Sequence, residues 1–354
     1  MSDLIRKSVQ ALHGYVPGEQ PREKGVTKLN TNENPYQPSP MVAEALRDAV
    51  AENLRLYPDP VAVRLREAIA GLHNCALDNV FAGNGSDEIL ALCTRAFVED
   101  DGRIGFFVPS YSLYPVLAEI RCVAAQPLEL TDDFRWAMPD DYRCSLFFLA
   151  NPNAPTGILY DKPTVRRFCE RFQGVVVIDE AYVDFAKADC ANIALELGNV
   201  LVVRTFSKAY SLAGIRVGYA LGSPNLVGAL FKLKDSYNTN ALSQRVATAA
   251  LADVEHMRHN VAKIKTSRQR LAHLLEARGF SVYPSDANFL WARPPPQATA
   301  EDLYARLRNE GVLVRYFPGH RTAECLRITV GTDSEIDVLI AALDRHIARH
   351  AASH

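Results

Sequence analysis

Paired cysteines, a targeting segment and a surplus of charge are all missing from this chain. Its seven cysteines lie singly between Cys75 and Cys325 with no CxxC pair, so neither a disulfide framework nor a zinc knuckle is expected. No apolar run reaches the roughly 20 residues that a membrane helix needs. The opening MSDLIRKSVQAL carries Asp3, Arg6 and Lys7 where a signal peptide would have its apolar stretch. Lys and Arg total 39 against 41 Asp and Glu, a formal net charge of -2, which leaves no electrostatic footprint for nucleic acid or an anionic membrane. HExxH is absent; His256 with His259 and His346 with His350 are the histidines at helical spacing and read as solvated helix faces, so no metal is expected. The GxSxG elbow of a serine hydrolase is absent as well. The expectation is a soluble, cytoplasmic protein that meets any anion it binds with local groups.

What is present is enough to build a large core. Of 354 residues, 48% are hydrophobic and 23% charged, a composition typical of globular chains. Residues 1–35 are polar and rich in Gly and Pro and read as an arm with turns. MVAEALRDAVAENL and VRLREAIAGLHN have helical periodicity on either side of the turn YPDP. The short apolar runs RIGFFV, CSLFFLANP, VVVIDEA and NVLVVRTFSK then alternate with amphipathic stretches such as KPTVRRFCERF, the signature of a mostly parallel sheet covered by helices. After about residue 245 long charged helices take over, with strand candidates SVYP, NFLWAR, VLVRYF and LRITV between them. An α/β protein is expected, with a large domain over 36–245 and a smaller α+β domain over 246–354.

In open α/β sheets ligands bind outside the carboxyl ends of the strands. VVVIDEAY ends in Asp179 and Glu180, with Tyr182 just beyond; LFFLANPNAPTG ends in a turn of Asn and Pro; NVLVVRTFSKAYSLAGIRVGY ends in Thr205, Ser207 and Lys208, with Arg216 further on. Alone, Asp179 reads as a helix cap or surface ion-pair partner and Lys208 as a solvated loop lysine. Together these residues supply an amine that forms an imine, a carboxylate for a pyridinium nitrogen, and hydroxyls and an arginine for a phosphate, the set that pyridoxal 5'-phosphate (PLP) requires. GNGSDE adds the backbone amides of Gly85, Ser86 and Asp87 at the start of an apolar helix, a ready anion site. A dinucleotide loop is excluded there, because Glu88 stands where GxGxxG has its third glycine.

DEAYVDF, TFSKAYSLAGIRVGY, NPNAPTG, NENPYQPSP, YPDP and LRITVG resemble the signature segments of the fold-type I PLP aminotransferases, spread from about residue 30 to 331. Within that superfamily the NENPY arm, YPDP, GNGSDE and LRITVG resemble the histidinol-phosphate aminotransferases most. The resemblance implies a seven-stranded, mostly parallel sheet in the large domain, and transfer of an amino group between histidinol phosphate and 2-oxoglutarate in histidine biosynthesis. It implies that Lys208 anchors PLP and shuttles the proton, that Asp179 pairs with the pyridine nitrogen, and that Tyr182 donates to the ring's phenolic oxygen. Tyr111 would stack on the ring, although alone it reads as a core aromatic. Gly85, Ser86, Asp87, Thr205, Ser207 and Arg216 would cup the phosphate. Tyr57 would reach the cofactor of a neighbouring subunit, making a homodimer the working unit; its plainer reading is a turn tyrosine packed locally. Arg327, Arg315, Tyr15 and Asn34 would contact substrate.

One departure from the family pattern is the loop NPNAPTG, whose common form is NPNNPTG: Ala154 stands where an asparagine contacts the ring oxygen. Asn153 is the candidate substitute. The competing functions are an aromatic amino-acid aminotransferase, a threonine-phosphate decarboxylase and a PLP-binding regulatory protein without turnover; no appended helix-turn-helix supports the last.

Overall fold

The computed structural model describes residues 4–351 apart from 22, 24, 50–53 and 140. Thirteen strands run through the described residues. β1 (Thr27–Lys28) lies in the N-terminal segment; β2 (Val80–Gly83), β3 (Arg103–Val108), β4 (Ala124–Glu129), β5 (Leu146–Ala150), β6 (Val175–Asp179), β7 (Val200–Thr205) and β8 (Gly218–Gly222) follow; β9 (Ser281–Val282), β10 (Phe289–Arg293), β11 (Val312–Leu313), β12 (Arg315–Tyr316) and β13 (Leu326–Thr329) complete the set. Strands β2 to β8 form one seven-stranded sheet in the order β2-β8-β7-β6-β5-β3-β4. All its pairings are parallel except the two made by β8.

The central strands are apolar up to their carboxyl ends because both faces are covered. In β5, Phe147 and Leu149 join one core cluster while Leu146, Phe148 and Ala150 join the other; in β6, Val176 and Ile178 part from Val177 in the same way. This is the two-residue period of a strand buried on both sides. The helices Ser86–Phe97 and Leu113–Arg121 bury Ile89, Leu90, Cys93 and Leu117 on one face. On the other face lie Val165 and Cys169 of the helix Lys162–Arg171 and Ile193 of Ala191–Glu196. Asp161 caps the first of these by accepting from the Thr164 amide at 3.0 Å, with Pro163 in the opening turn.

A second, four-stranded antiparallel sheet has the order β12-β13-β10-β9. The helix Val254–Glu276 buries Ile264 and Leu271 in the same core cluster as Leu290, Leu326 and Ile328 of that sheet. β1 pairs with β11, Thr27 opposite Val312, which ties the N-terminal segment to the C-terminal part of the chain. The expected boundary at residue 245 falls within the helix Ala241–Ala252, which packs on the helices Pro40–Arg47 and Val63–His73. The helical pattern expected from Met41 ends at Arg47, and residues 50–53 of that pattern lie outside the described residues. No helix among the described residues is long and apolar enough to cross a membrane.

Candidate active site

The carboxyl ends of β5, β6 and β7 deliver Ala150, Asp179 and Thr205 to a cavity of about 760 Å³ whose other walls include Tyr15, residues 31–33, Arg315 of β12 and Arg327 of β13. Ser86, Asp87, Tyr111, Asp179, Tyr182, Thr205, Ser207, Lys208, Arg216, Tyr15, Arg315 and Arg327 all line it. Twelve of the sixteen residues singled out from the sequence are therefore gathered in one space.

Asp179 ends β6 and is 5% exposed. Its Oδ2 accepts from the Tyr114 hydroxyl at 2.8 Å and its Oδ1 from the Ala181 amide at 3.2 Å. Among the described residues no Lys, Arg or His forms an ion pair with it. Burial consequently pushes its carboxyl up to about 6, against the lowering effect of those two hydrogen bonds. A buried carboxylate without a cation facing a cavity is poised to receive one.

Strand alternation sends the next residue, Glu180, to the opposite face, where it is held 2.8 Å from Arg204 of β7. This buried pair fixes the ends of β6 and β7 from behind the cavity. The Lys208 Nζ donates to the Thr31 carbonyl at 3.0 Å. Burial first, and the Arg327 guanidinium second, bring its amine down to about 8, so roughly a tenth of it is neutral at pH 7, far more than for an ordinary lysine.

Gly85, the N-cap of the helix Ser86–Phe97, has φ +81. A Cβ there would stand 2.6 Å from the Arg216 guanidinium, so glycine is needed both for the left-handed backbone and for the close approach. The Arg216 Nη1 donates to the Ser207 Oγ at 3.2 Å, and its Nη2 lies 3.5 Å from Asp87. The Ser207 amide donates to Thr205 Oγ1 at 3.1 Å. Helix-start amides, two hydroxyls and a guanidinium thus converge in the manner of a phosphate cup. Tyr111 donates to Asp87 Oδ1 at 3.2 Å and meets Tyr15 edge to face, ring centroids 5.8 Å apart.

At the far wall, Arg327 donates to the Asn30 carbonyl at 2.9 Å between the rings of Phe289 and Phe317, and its Nε has no partner. Arg315 donates to the carbonyls of Val16 and Pro17. Neither guanidinium forms an ion pair with a carboxylate among the described residues, which leaves both available to an anionic ligand.

Two expectations, those for Asn153 and Asn34, do not hold in this geometry. Asn153 is absent from the lining: its Nδ2 donates to the Pro109 carbonyl at 3.1 Å and to Thr156 Oγ1 at 3.0 Å, and its Oδ1 accepts from Ser110 at 2.7 Å. The amide is consumed in holding its own loop and does not replace the donor lost at Ala154. Asn34 likewise turns away, donating to the Ala209 carbonyl at 3.0 Å and accepting from the Tyr36 amide at 3.0 Å. Tyr57 lies outside the cavity of its own chain, 80% exposed and stacked on Tyr237 with ring centroids 4.3 Å apart. In compensation, Asn32 enters the cavity wall and donates to the Tyr182 hydroxyl at 2.9 Å. The run LNTNENP held three asparagines at a spacing of two residues, and nothing in it said which of them faced inward. Tyr114 was missed as the Asp179 partner because it reads as a core residue, which by burial it also is.

Residues 24–343 match the sequence model of the family described as aminotransferase class I and II. The chain belongs to the class I and II aminotransferases. Within that family it is 44% identical over 348 residues to histidinol-phosphate aminotransferase 1 of Nostoc sp., covering 97% of this chain and 98% of the relative. It is 46% identical over 357 residues to histidinol-phosphate aminotransferase of Gluconacetobacter diazotrophicus, covering 99% and 100%. The crystal structure of histidinol-phosphate aminotransferase from Sinorhizobium meliloti in complex with pyridoxal-5'-phosphate superposes with a TM-score of 0.87 at 26% identity, covering 98% of both chains. The expected α/β fold, the enzyme class and the PLP cofactor all stand. The residues fit that cofactor on this structure's own evidence: a buried carboxylate awaits a cation, a glycine is excluded from carrying a side chain by the guanidinium of an anion cup, and a lysine with a depressed pKa faces the same cavity.

Proposed function

We propose that this aminotransferase transfers an amino group between L-histidinol phosphate and 2-oxoglutarate, using PLP held covalently on Lys208. When bound, PLP supplies an electron-poor ring that accepts the electron pair released at the substrate carbon. Lys208 would hold the ring and, as a free amine, would take and return the proton at the substrate carbon; the pull of burial and Arg327 on its pKa supports that role. Asp179 would keep the ring nitrogen protonated and would gain in return a cation for its buried carboxylate. Tyr182 would donate its hydroxyl to the phenolic oxygen, and Tyr111 would cover a ring face. Ser86, Asp87, Thr205, Ser207 and Arg216 hold the phosphate, with Gly85 leaving Arg216 room.

Arg327 and Arg315, with Tyr15 beside them, receive the distal anion of the substrate. A carboxylate and a phosphate both present paired oxygens to a guanidinium fork, so one pocket serves both amino donor and acceptor. The exposed pair Tyr57 and Tyr237 supports a homodimer in which Tyr57 reaches the partner's phosphate cup, and the working enzyme is assigned to the cytoplasm. An arm over 1–35 and a large domain, which the helix Ala241–Ala252 extends past residue 245, carry the cofactor; the remainder forms a small domain.

The observation that carries this reading is the buried carboxylate of Asp179, which has no ion-pair partner among the described residues, sharing a cavity with Lys208 and the guanidiniums of Arg315 and Arg327. Steady-state assays with imidazole-acetol phosphate, phenylpyruvate and an uncharged ketone at saturating L-glutamate test it. Imidazole-acetol phosphate is expected to give the highest kcat/KM. Carbon dioxide release from a phosphorylated amino acid, or preference for phenylpyruvate, would transfer the assignment to one of the competing activities.

A further inference from the structure

Asn32 has a constrained geometry that packing alone does not require. It is 1% exposed and adopts the left-handed conformation at φ 56, a backbone state that asparagine tolerates better than most residues with a side chain and that surrounding contacts here hold in place. Four hydrogen bonds do so. Its amide N–H donates to Thr329 Oγ1 at 3.0 Å, its carbonyl accepts from Asn288 Nδ2 at 3.0 Å, its Oδ1 accepts from the Thr329 hydroxyl at 3.0 Å, and its Nδ2 donates to the Tyr182 oxygen at 2.9 Å.

The proton count in this group fixes a direction. The Thr329 hydroxyl, 2% exposed, accepts from the Asn32 N–H and donates its one proton to Asn32 Oδ1, which leaves the NH2 of Asn32 facing Tyr182. The Tyr182 oxygen is then an acceptor on its buried side, which leaves its own proton free to point elsewhere. Ala154, Ala287 and Phe289 form the apolar cluster against which Tyr182 packs, with Phe289 edge-on at 5.0 Å, and offer that proton no acceptor. The open direction is the cavity.

We propose that Asn32 is a positioning residue that turns the Tyr182 hydroxyl into a fixed donor toward the cofactor's ring oxygen, acting where Ala154 presents only a methyl group. This rests on the proposed placement of PLP and deepens it. The preceding peptide strengthens the case: the Thr31 carbonyl accepts from Lys208, so residues 31–32 address the amine and the phenol together.

The consequence is readable in the absorbance of the Lys208–cofactor linkage as it titrates, without turnover. A donor to the ring oxygen favours the form in which that oxygen bears uncompensated negative charge, the form with the linkage unprotonated. Losing the donor favours protonation, and the midpoint rises. Removing one oriented hydrogen bond corresponds to a shift of about half to one pH unit. The charged and titratable groups facing Tyr182 and Lys208, namely Arg327, Arg216, Glu33, Asp87, Asp179 and Tyr15, are common to all variants.

The experiment titrates the wild-type holoenzyme, Asn32→Ala, Tyr182→Phe and the double variant. The midpoint is expected to rise in Asn32→Ala and in Tyr182→Phe, with the double variant no higher than Tyr182→Phe alone. Should Asn32→Ala not fold, Thr329→Val removes only the hydroxyl that orients the amide, and the same upward shift is expected. A wild-type midpoint in a folded Asn32→Ala or Thr329→Val variant, or fully additive shifts in the double variant, would overturn the proposal and leave Asn32 a structural residue. A wild-type protein that forms no coloured linkage would instead remove the cofactor assignment beneath it.

Discussion

Replacing Asp179 with Asn should make the cofactor-free protein more stable while weakening its hold on PLP. The carboxyl is raised from 3.8 to about 6 by burial, roughly 2 units, and at 1.36 kcal/mol per unit the ionised form burdens the fold by about 3 kcal/mol. Between pH 3.8 and 6 the folded protein holds more protons on this group than the unfolded chain does, so its effect on stability worsens as pH rises through that window and is complete above it. The amide is isosteric, can still accept from the Ala181 N–H, and can pair with the Tyr114 hydroxyl. Thermal denaturation of cofactor-free Asp179→Asn at pH 7.5 should therefore show a midpoint higher by on the order of 5 °C. The advantage should shrink toward zero near pH 4, where the wild-type group is protonated. With PLP bound the ranking should reverse, because only the carboxylate pairs with a ring cation. A cofactor-free Asn variant less stable than wild type at pH 7.5, or a difference that ignores pH, would refute the view that Asp179 is held without a cation.

With the Lys208 amine brought down to about 8, the rate at which PLP adds to the cofactor-free protein should climb about tenfold per pH unit below pH 8 and level off above it; a rise continuing to pH 10 would mean an ordinary lysine. Gly85→Ala places a Cβ against the Arg216 guanidinium on a backbone at φ +81, and PLP titration should show affinity weakened by about tenfold or more. Arg327→Ala should raise KM for both the amino donor and the phosphorylated substrate while leaving the PLP spectrum intact; unchanged KM values would place the distal anion elsewhere.

Much of this arrangement is legible in the sequence because strand ends in a parallel sheet are chemically conspicuous. The run VVVID is apolar up to Asp179 and VLVVRT up to Arg204, so the polar residues at the two strand ends stand out against them. Strands β2, β4 and β8 were harder to see: β4 is an edge strand with Pro127 and mostly exposed side chains, and β8 is only five residues with a glycine at each end. Such segments are strands because neighbours pair with them, and local pattern carries little of that. The same limit applied to the asparagines. Asn32 and Asn34 sit two residues apart in one polar run, and which amide faces the cavity depends on the positive φ at Asn32 and on Thr329, a residue 297 positions away. Asn153 looked available for the ring oxygen because its three hydrogen-bond partners, Pro109, Ser110 and Thr156, are brought to it only by the fold.

Borohydride reduction of the purified protein followed by peptide mapping addresses the claim on which the function rests. Reduction should fix the pyridoxyl group irreversibly to one peptide, with the added mass on Lys208. Label on any other lysine, or none at all on protein supplied with PLP, would contradict the account.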